Sequence, residues 1–437
     1  MGGRNASLLC LGSILAPVSV SARASAWQHL PLVPEQMWTT TATMLAALIG
    51  GIFGAFIGSY LGVIAHRVPR GQSIVRPPSH CSDCGTILRW NDNIPILGWL
   101  LLRGRCRWCG ARIPLSVWLI EVVTAALTAT VCWWVFTHPE AVVSPLALAA
   151  AYRVEWLWLA PLLASVALLV AVWVLLVCTL TDLQHMIIPD ELSKPMQVLA
   201  PFLALMLSGS LVDEHASAYL LPLFASSASI DGTSLGMWTF FDGVLRVLLI
   251  LVGALALLLI SLPLARWIYG TRLRGPYPWR DQDHRAFAVG AWWFVIALIP
   301  AMLLLAIAGT MAEANDMSFN VWAWMVLLLT NSLLGCLAGW YLPYLVGLFG
   351  SWAFARNAMG YGDVKMLAWM GAFLGPVGVL YTFFIASVYG SLIGIPMRLF
   401  GGGREIPFGP YLVLGGVTAF LAGPTISATL LPQILGP

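Results

Sequence analysis

Long apolar runs, separated by short polar segments, make up most of the chain. Ten of these runs approach the ~20 residues that a helix needs to cross a ~30 Å hydrocarbon core. They cover about 42–64, 115–136, 157–181, 195–212, 243–265, 291–312, 321–349, 364–375, 377–397 and 409–431. The pattern predicts an all-α polytopic membrane protein with about ten transmembrane helices. The eighth run is short and ends at Gly375-Pro376, which predicts a broken helix that protein or water must cover.

Composition agrees with this prediction, and the distribution of charge orients the chain. Of the 437 residues, 59% are hydrophobic and 9% are charged, against roughly 25% charged in a soluble domain. If 65–114 is cytoplasmic and the sides alternate, 18 of the 22 Lys and Arg lie in cytoplasmic positions, as the positive-inside rule requires. The net charge of +3 gives no indication of a nucleic-acid partner.

The first 36 residues allow more than one interpretation. Arg4, the apolar stretch 7–20 and the small residues at 22–26 are typical of a weak signal peptide. An extra short hydrophobic element, or a start codon assigned too early, fits the same residues. Residues 1–41 therefore form an uncertain N-terminal segment.

Four of the eight cysteines form two C-x-x-C pairs in the most basic part of the chain, the segment 65–114. The pairs are separated by 21 residues and consist of Cys81 and Cys84, and of Cys106 and Cys109. This spacing predicts a closed tetrahedral Zn²⁺ site that holds the loop together and does no chemistry. Gly85 and Gly110 follow the pairs, where a tight turn favours glycine. The alternatives are unligated thiols, an iron–sulfur cluster or disulfides, which a cytoplasmic location disfavours.

Two aspartates stand at the ends of predicted spans. Asp182 ends a long uncharged run, and Asp363 begins the eighth run within the sequence GYGD. The charge bias places both on the cytoplasmic face at the same membrane depth, as a two-carboxylate catalytic site requires. One ionised Asp takes a proton from water while the protonated Asp donates to the scissile group, and the pair shares one proton. The alternative is that each Asp caps a helix or pairs with Lys365 or Lys194.

The backbone around Asp363 suggests how a substrate could approach it. Gly360 and Gly362 carry no side chain, so they leave room for a substrate strand and permit positive φ. The predicted helix ends also suggest a division of roles. The N-terminal end of its helix favours Asp363 as the anion, and the C-terminal end favours Asp182 as the neutral acid.

Together these segments resemble the type IV prepilin peptidases, the bacterial branch of the GxGD membrane aspartic peptidases. Five motifs carry the resemblance in chain order: FGAFIGSYLGVIAHRVPRG at 53–71, the two C-x-x-C pairs around NDNIPILGWLLLRGRC, TDLQHMIIPDEL at 181–192, GYGDVKM at 360–366, and IPFGPYLVLGG at 406–416. They cover most of 45–212 and 326–430. The resemblance implies that Asp182 and Asp363 are the catalytic residues and that the cysteine loop binds zinc.

The resemblance also implies the reaction and the cellular setting. Members of the family cut the basic leader of type IV prepilins or type II secretion pseudopilins at the cytoplasmic face of the bacterial inner membrane. Many then methylate the new N-terminus with S-adenosylmethionine. The implied partners are these substrates, the lipid bilayer and the pilus or secretion machinery. Five acids are candidates to receive the leader: Asp83, Asp92, Glu121, Asp190 and Glu191.

Further residues are predicted to position the substrate around the two aspartates. These are Gly360, Gly362, Lys365, Asp190, Pro407 and Gly409. Two of these predictions have simpler alternatives. Lys365 either pairs with Asp363 or extends its ammonium to the interface, and the segment 407–410 either positions substrate or forms a helix-entry turn.

The chain departs from the family pattern between 213 and 320. This segment reads as a two-span insert, and removing it leaves eight spans, the family's number. The resulting division is the first span at 42–64, the zinc-binding loop at 65–114, spans with the first Asp at 115–212, the insert, and spans with the GxGD motif at 321–437. The competing function is a transporter or secretion scaffold with a zinc-ribbon loop, and that reading expects acids at mid-span.

Overall fold

The computed structural model describes residues 40–138, 159–207, 319–354, 358–401 and 407–435. Within these ranges the regular structure is helical, and the described residues include two isolated β-bridges. In chain order the helices are α1 Thr40–Arg67, α2 Leu97–Leu101, α3 Leu115–Thr137, α4 Leu159–His185, α5 Asp190–Ala204, α6 Phe319–Phe354, α7 Tyr361–Gly401 and α8 Gly409–Leu435. Short 3₁₀ turns occur at Val68–Arg70 and Trp90–Asp92.

Five of the described helices are long and apolar enough to cross a membrane, so the chain is a multi-pass membrane protein. These segments are Thr40–Arg70, Leu115–Thr137, Pro161–His185, Asn331–Phe354 and Tyr361–Met397. The prediction of ten spans is not established. The predicted spans 243–265 and 291–312, the insert 213–320 up to residue 318, and residues 1–39 lie outside the described residues. The predicted span 195–212 instead begins within α5, a 15-residue helix that starts at Asp190.

Helix α7 is broken where the sequence predicted a broken helix. Gly375 has φ 69° and ψ 174°, and Pro376 follows it. A non-glycine residue would be strained at this φ, and its Cβ would lie 2.7 Å from Asn331 Nδ2. Proline cannot donate the backbone hydrogen bond that would continue the helix. The runs 364–375 and 377–397 are therefore the two halves of one interrupted helix.

Glycines allow the helices to approach closely. Gly50, Gly54 and Gly58 recur every fourth residue on α1 and face α3, where a Cβ on Gly54 would lie 2.6 Å from the Cβ of Thr128. This small-residue spacing is a common device for packing membrane helices. Gly335 of α6 is pressed against the backbone of Gly371 on α7 in the same way. Every residue of α7 from 363 to 375 is buried, so Asp363 begins a half-helix enclosed by protein.

Candidate functional site

The four loop cysteines converge on one point. All four Sγ atoms lie within 4.8 Å of one another. The Cys81 and Cys109 sulfurs are 3.8 Å apart, and those of Cys84 and Cys106 are 4.0 Å apart. Four sulfurs at ~2.3 Å around a tetrahedral zinc are separated by about 3.8 Å, whereas a disulfide requires ~2.05 Å. The cluster therefore has the dimensions of a metal site, and the disulfide alternative is wrong.

Two copies of the same turn present these sulfurs. The N–H of Gly85 donates to Cys81 O at 2.9 Å, and the N–H of Gly110 donates to Cys106 O at 3.0 Å. Both glycines have the predicted positive φ, 68° and 69°. A short bridge closes each turn, between His80 and Ile87 and between Arg105 and Arg112. The repeated turn places both sulfurs of each C-x-x-C pair on the same side, facing the other pair.

Hydrogen bonds make part of the cluster ready to bind metal as thiolates. The Thr86 hydroxyl and backbone lower the pKa of Cys84 to about 6. Backbone N–H groups of Cys109 and Trp108 lower the pKa of Cys106. Thiolates are the form that binds metal. The loop is thus suited to a structural ion, and its four sulfur ligands would leave no coordination position for substrate.

Two buried acids hold this loop in place. Asp92 accepts hydrogen bonds of 3.0 and 3.1 Å from Nε of Arg107, the residue after Cys106. Glu121 on α3 accepts the N–H of Ile96 at 2.7 Å. Asp190 forms ion pairs with Lys194 and Lys365. Of the five acids considered as receptors for a basic leader, these three therefore have cationic or N–H partners within the chain. Only Asp83 and Glu191 of that set are exposed.

Asp182 lies in the last turn of α4, as predicted, and is 6% exposed. Its Oδ2 accepts the N–H of Gly409 at 2.9 Å. Gly409 is the first residue of α8, and a Cβ there would lie only 2.6 Å from Asp182 Oδ2. A helix N-terminus 227 residues later in the chain therefore donates a hydrogen bond to the carboxyl of Asp182. Which of the two aspartates is the neutral acid stays a prediction.

Asp363 is the third residue of α7, at the predicted N-terminal position, and is 8% exposed. The two carboxyl groups are close enough for the charge of Asp182 to act on Asp363. The structure therefore brings together two buried acids that are 181 residues apart in the sequence. Two close carboxyls repel each other strongly when both are ionised.

An ion pair joins the segments that carry the two aspartates. Lys365 contacts the carboxylate of Asp190 at the start of α5. It lies one turn after the first residue of α7 and is 6% exposed. Asp190 also pairs with Lys194 at 2.7 Å. Burial raises the pKa of Asp190, but hydrogen bonds and charge from the two lysines outweigh it and leave the pKa below its ordinary value. Lys365 lies over the ring of Tyr361 as well, with Nζ 4.0 Å from the centroid, a favourable cation–π geometry.

The two glycines of the GYGD sequence serve tertiary contacts. Neither Gly360 nor Gly362 adopts the positive φ that a glycine permits. A Cβ on Gly362 would lie 3.0 Å from the Cβ of Ile188 on the loop before α5, and one on Gly360 would lie 3.0 Å from Asp363 Oδ2. Gly362 therefore lets α7 pack against that loop, while Gly360 is exposed and leaves the approach to Asp363 open.

Pro407 and Phe408 lead into α8 and position Gly409. Pro407 is half-buried. The Phe408 ring packs edge-on against Phe383 of α7, with centroids 6.2 Å apart. This segment forms a helix entry and also places a backbone donor on Asp182. Sequence reasoning missed the contact because no local pattern connects residues 409 and 182.

Two family models match the chain. Residues 52–136 match the bacterial peptidase A24 N-terminal domain, and residues 282–395 match the type IV leader peptidase family. The first match includes the cysteine cluster and the second includes Asp363. The second match begins at residue 282, within the segment predicted as an insert, and Asp182 lies between the two matches. No solved structure matches the chain.

Curated proteins similar to the chain carry one name, prepilin leader peptidase/N-methyltransferase. The protein from Myxococcus xanthus is 37% identical over 137 residues, which is 31% of this chain and only 33% of that protein. The Pseudomonas putida protein is 23% identical over 94% of this chain and 99% of its own length. The Dichelobacter nodosus protein is 23% identical over 81% of this chain and 74% of its own. Both domain matches and these relatives agree, and the chain is therefore similar to the type IV prepilin peptidases.

Proposed function

We propose that this chain is a membrane aspartic endopeptidase that removes the basic leader from type IV prepilins or type II secretion pseudopilins. The observation that carries the proposal is the pairing of Asp182 and Asp363, two buried carboxyls held at neighbouring helix ends. The names of the relatives supply the substrate class. The bias of Lys and Arg supports a cytoplasmic site in the bacterial inner membrane.

The chemistry follows from one proton shared by two carboxyls. The ionised Asp removes a proton from a water molecule, and the oxygen of that water attacks the scissile carbonyl carbon. The protonated Asp stabilises the carbonyl oxygen and then gives its proton to the leaving amine, so the C–N bond breaks with the charges balanced. The Gly409 N–H and the Asp190–Lys365 ion pair are positioning groups, because they fix α8, α5 and α7 around the two acids.

We also propose that the cysteine cluster binds a structural Zn²⁺ and that the chain methylates the new N-terminus with S-adenosylmethionine. The sulfur–sulfur distances support the metal. The names of the relatives support methylation. The pilus or secretion machinery would then receive the processed substrate.

The competing function, an ion-conducting transporter or scaffold, expects acids facing one another at mid-span. Asp182 lies in the last turn of α4 and Asp363 in the first turn of α7. Both therefore lie at helix ends, where an extended substrate arriving from water can meet them. This position favours the peptidase.

Co-expression with a prepilin tests the activity. The full chain is expected to shorten the prepilin to a single product whose new N-terminus, read by sequencing, follows the basic leader. Added S-adenosylmethionine is expected to increase the product's mass by one methyl group in purified membranes. An uncut prepilin in the presence of well-expressed wild-type chain would contradict the peptidase, while a cut but unmethylated product would contradict only the methylation.

Replacing Gly409 with Ala is expected to lower the cleavage rate by roughly 10²-fold, because a shift of about 1 Å in a catalytic group has effects of that size. The new Cβ would lie 2.6 Å from Asp182 Oδ2 and would push the carboxyl away from the N–H that it now accepts. The rate is measured with membranes containing equal amounts of each variant. Gly62→Ala is a matched control, because a Cβ on Gly62 meets nothing within 4 Å. Equal rates for both variants would show that the Gly409 contact does not position Asp182.

A further inference from the structure

The short helix α2, Leu97–Leu101, lies alongside the first two turns of α3 and not beyond its end. Glu121 binds the N–H of Ile96, and the rings of Trp99 and Trp118 lie 5.6 Å apart. Trp118 and Glu121 are three and six residues into α3, or about 4 and 9 Å along its axis from Leu115. Glu121 also lies beside Gly58, nine residues before the end of α1. The start of α2 is therefore held within the length of two membrane helices.

The dimensions of α3 place α2 at the edge of the hydrocarbon. The helix has 23 residues, or about 35 Å at 1.5 Å per residue, against a ~30 Å hydrocarbon core. Only a few ångströms remain outside the core at each end of a centred helix. A contact about 9 Å from the start of α3 is thus several ångströms inside the boundary, the depth at which interfacial helices bury their apolar faces.

The side chains of α2 suit that environment. Leu97, Leu100 and Leu101 are exposed, Leu101 to 74%. Leu115, Leu119 and Val123 of α3 are exposed apolar residues as well. An exposed apolar surface of this kind is unfavourable in water and favourable against lipid chains. The leucines of α2 and the exposed apolar residues of α3 are therefore both suited to contact with lipid chains.

Backbone N–H groups in and before α2 have hydrogen-bond partners within the chain, as a segment in the membrane requires. The N–H groups of Gly98, Leu100 and Leu102 donate to Ile94 O, Ile96 O and Gly98 O. Ile96 has φ 64°, a strained value for a β-branched residue. Its N–H is satisfied by a buried carboxylate from another helix. Satisfying backbone groups internally is the requirement for any segment at membrane depth.

The charges beside α2 match an anionic membrane surface. The segment 65–114 contains eight arginines and two aspartates, and Arg103 and Arg105 directly follow the helix. Asp92, one of the two aspartates, is paired with Arg107. Basic residues next to an inserted apolar face bind lipid phosphates. We propose that α2 is an interfacial anchor that inserts its leucines among the acyl chains of an anionic bilayer and so ties the cysteine loop to the membrane.

Quenching by lipid measures this insertion in the full chain. A fluorescent amino acid replaces Leu101 in one variant and Val75 in a matched control, an equally exposed apolar residue of the same loop at 73%. Each protein is reconstituted in nanodiscs of anionic lipid with acyl chains brominated near the headgroup. Quenching is expected to be at least about threefold stronger at 101 than at 75. Unchanged metal content shows that each labelled loop is folded.

Each other result overturns the proposal. Equal quenching at 101 and 75 means that α2 faces water or is covered by another part of this chain. A loss of quenching at 101 on adding a saturating prepilin peptide means that the surface binds substrate in place of lipid. Equal quenching at 101 in anionic and in purely zwitterionic nanodiscs would remove the role of the arginines. The anchor does not rest on the proposed peptidase activity, so it can fail while prepilin is still cut.

Discussion

Asn in place of Asp182 is expected to lower leader cleavage by at least about 10³-fold, and Asn in place of Asp363 to do the same. General acid and base catalysis each contribute roughly 10²–10⁴-fold, and either change leaves the pair without a second titratable group. Asn keeps the shape of Asp and an oxygen that can accept the Gly409 N–H, so the contact at 2.9 Å is retained. The loss should therefore appear in the cleavage rate and not in the amount of protein in the membrane.

The double variant sharpens this test. Residues that act as one unit show non-additive losses, so the double Asn variant is expected to be about as slow as either single one. Thr179→Ala is a matched control one turn earlier on α4, where the hydroxyl donates to Leu175 O within its own helix, and it should cut at a near wild-type rate. Full cleavage by either single Asn variant would eliminate the two-carboxylate mechanism.

Ser in place of Cys106 is expected to remove the metal and unfold the cysteine loop. Structural zinc contributes about 10–16 kcal/mol to the folding of small zinc domains at neutral pH. Cys106 is the buried member of the cluster, and its Sγ lies 4.0 Å from that of Cys84. Elemental analysis of the purified protein should find one zinc per chain in the wild type and none in the variant, and limited proteolysis should then cut within 65–114.

A cysteine outside the cluster provides the control for this experiment. Cys132 is buried on α3 against Gly50, so Cys132→Ala should keep the zinc and the protease resistance of the loop. Zinc retained by Cys106→Ser, or lost equally by Cys132→Ala, would contradict the assignment. Iron in the wild-type protein in place of zinc would support the iron–sulfur alternative instead.

The parts of the site that were predictable from sequence are those that depend on neighbours in the chain. The two C-x-x-C pairs predicted a metal cluster, and the glycines after them have the positive φ expected of tight turns. Gly375-Pro376 predicted the break in α7, because proline in the interior of a helix removes a backbone hydrogen bond. The packing of Gly362 against Ile188 was not predictable from the local sequence, since it depends on the tertiary structure.

The sequence by itself determined that this is a membrane protein, where its apolar runs lie, which residues are candidates for its chemistry and which family it resembles. These features follow from local composition, spacing and the sidedness of charge. Only the tertiary structure decided that Gly409 bonds Asp182, that Lys365 pairs with Asp190 and that Glu121 holds α2 beside α3. Each of these contacts joins residues on different elements of the chain. Local periodicity therefore cannot predict them, because they depend on how the elements pack.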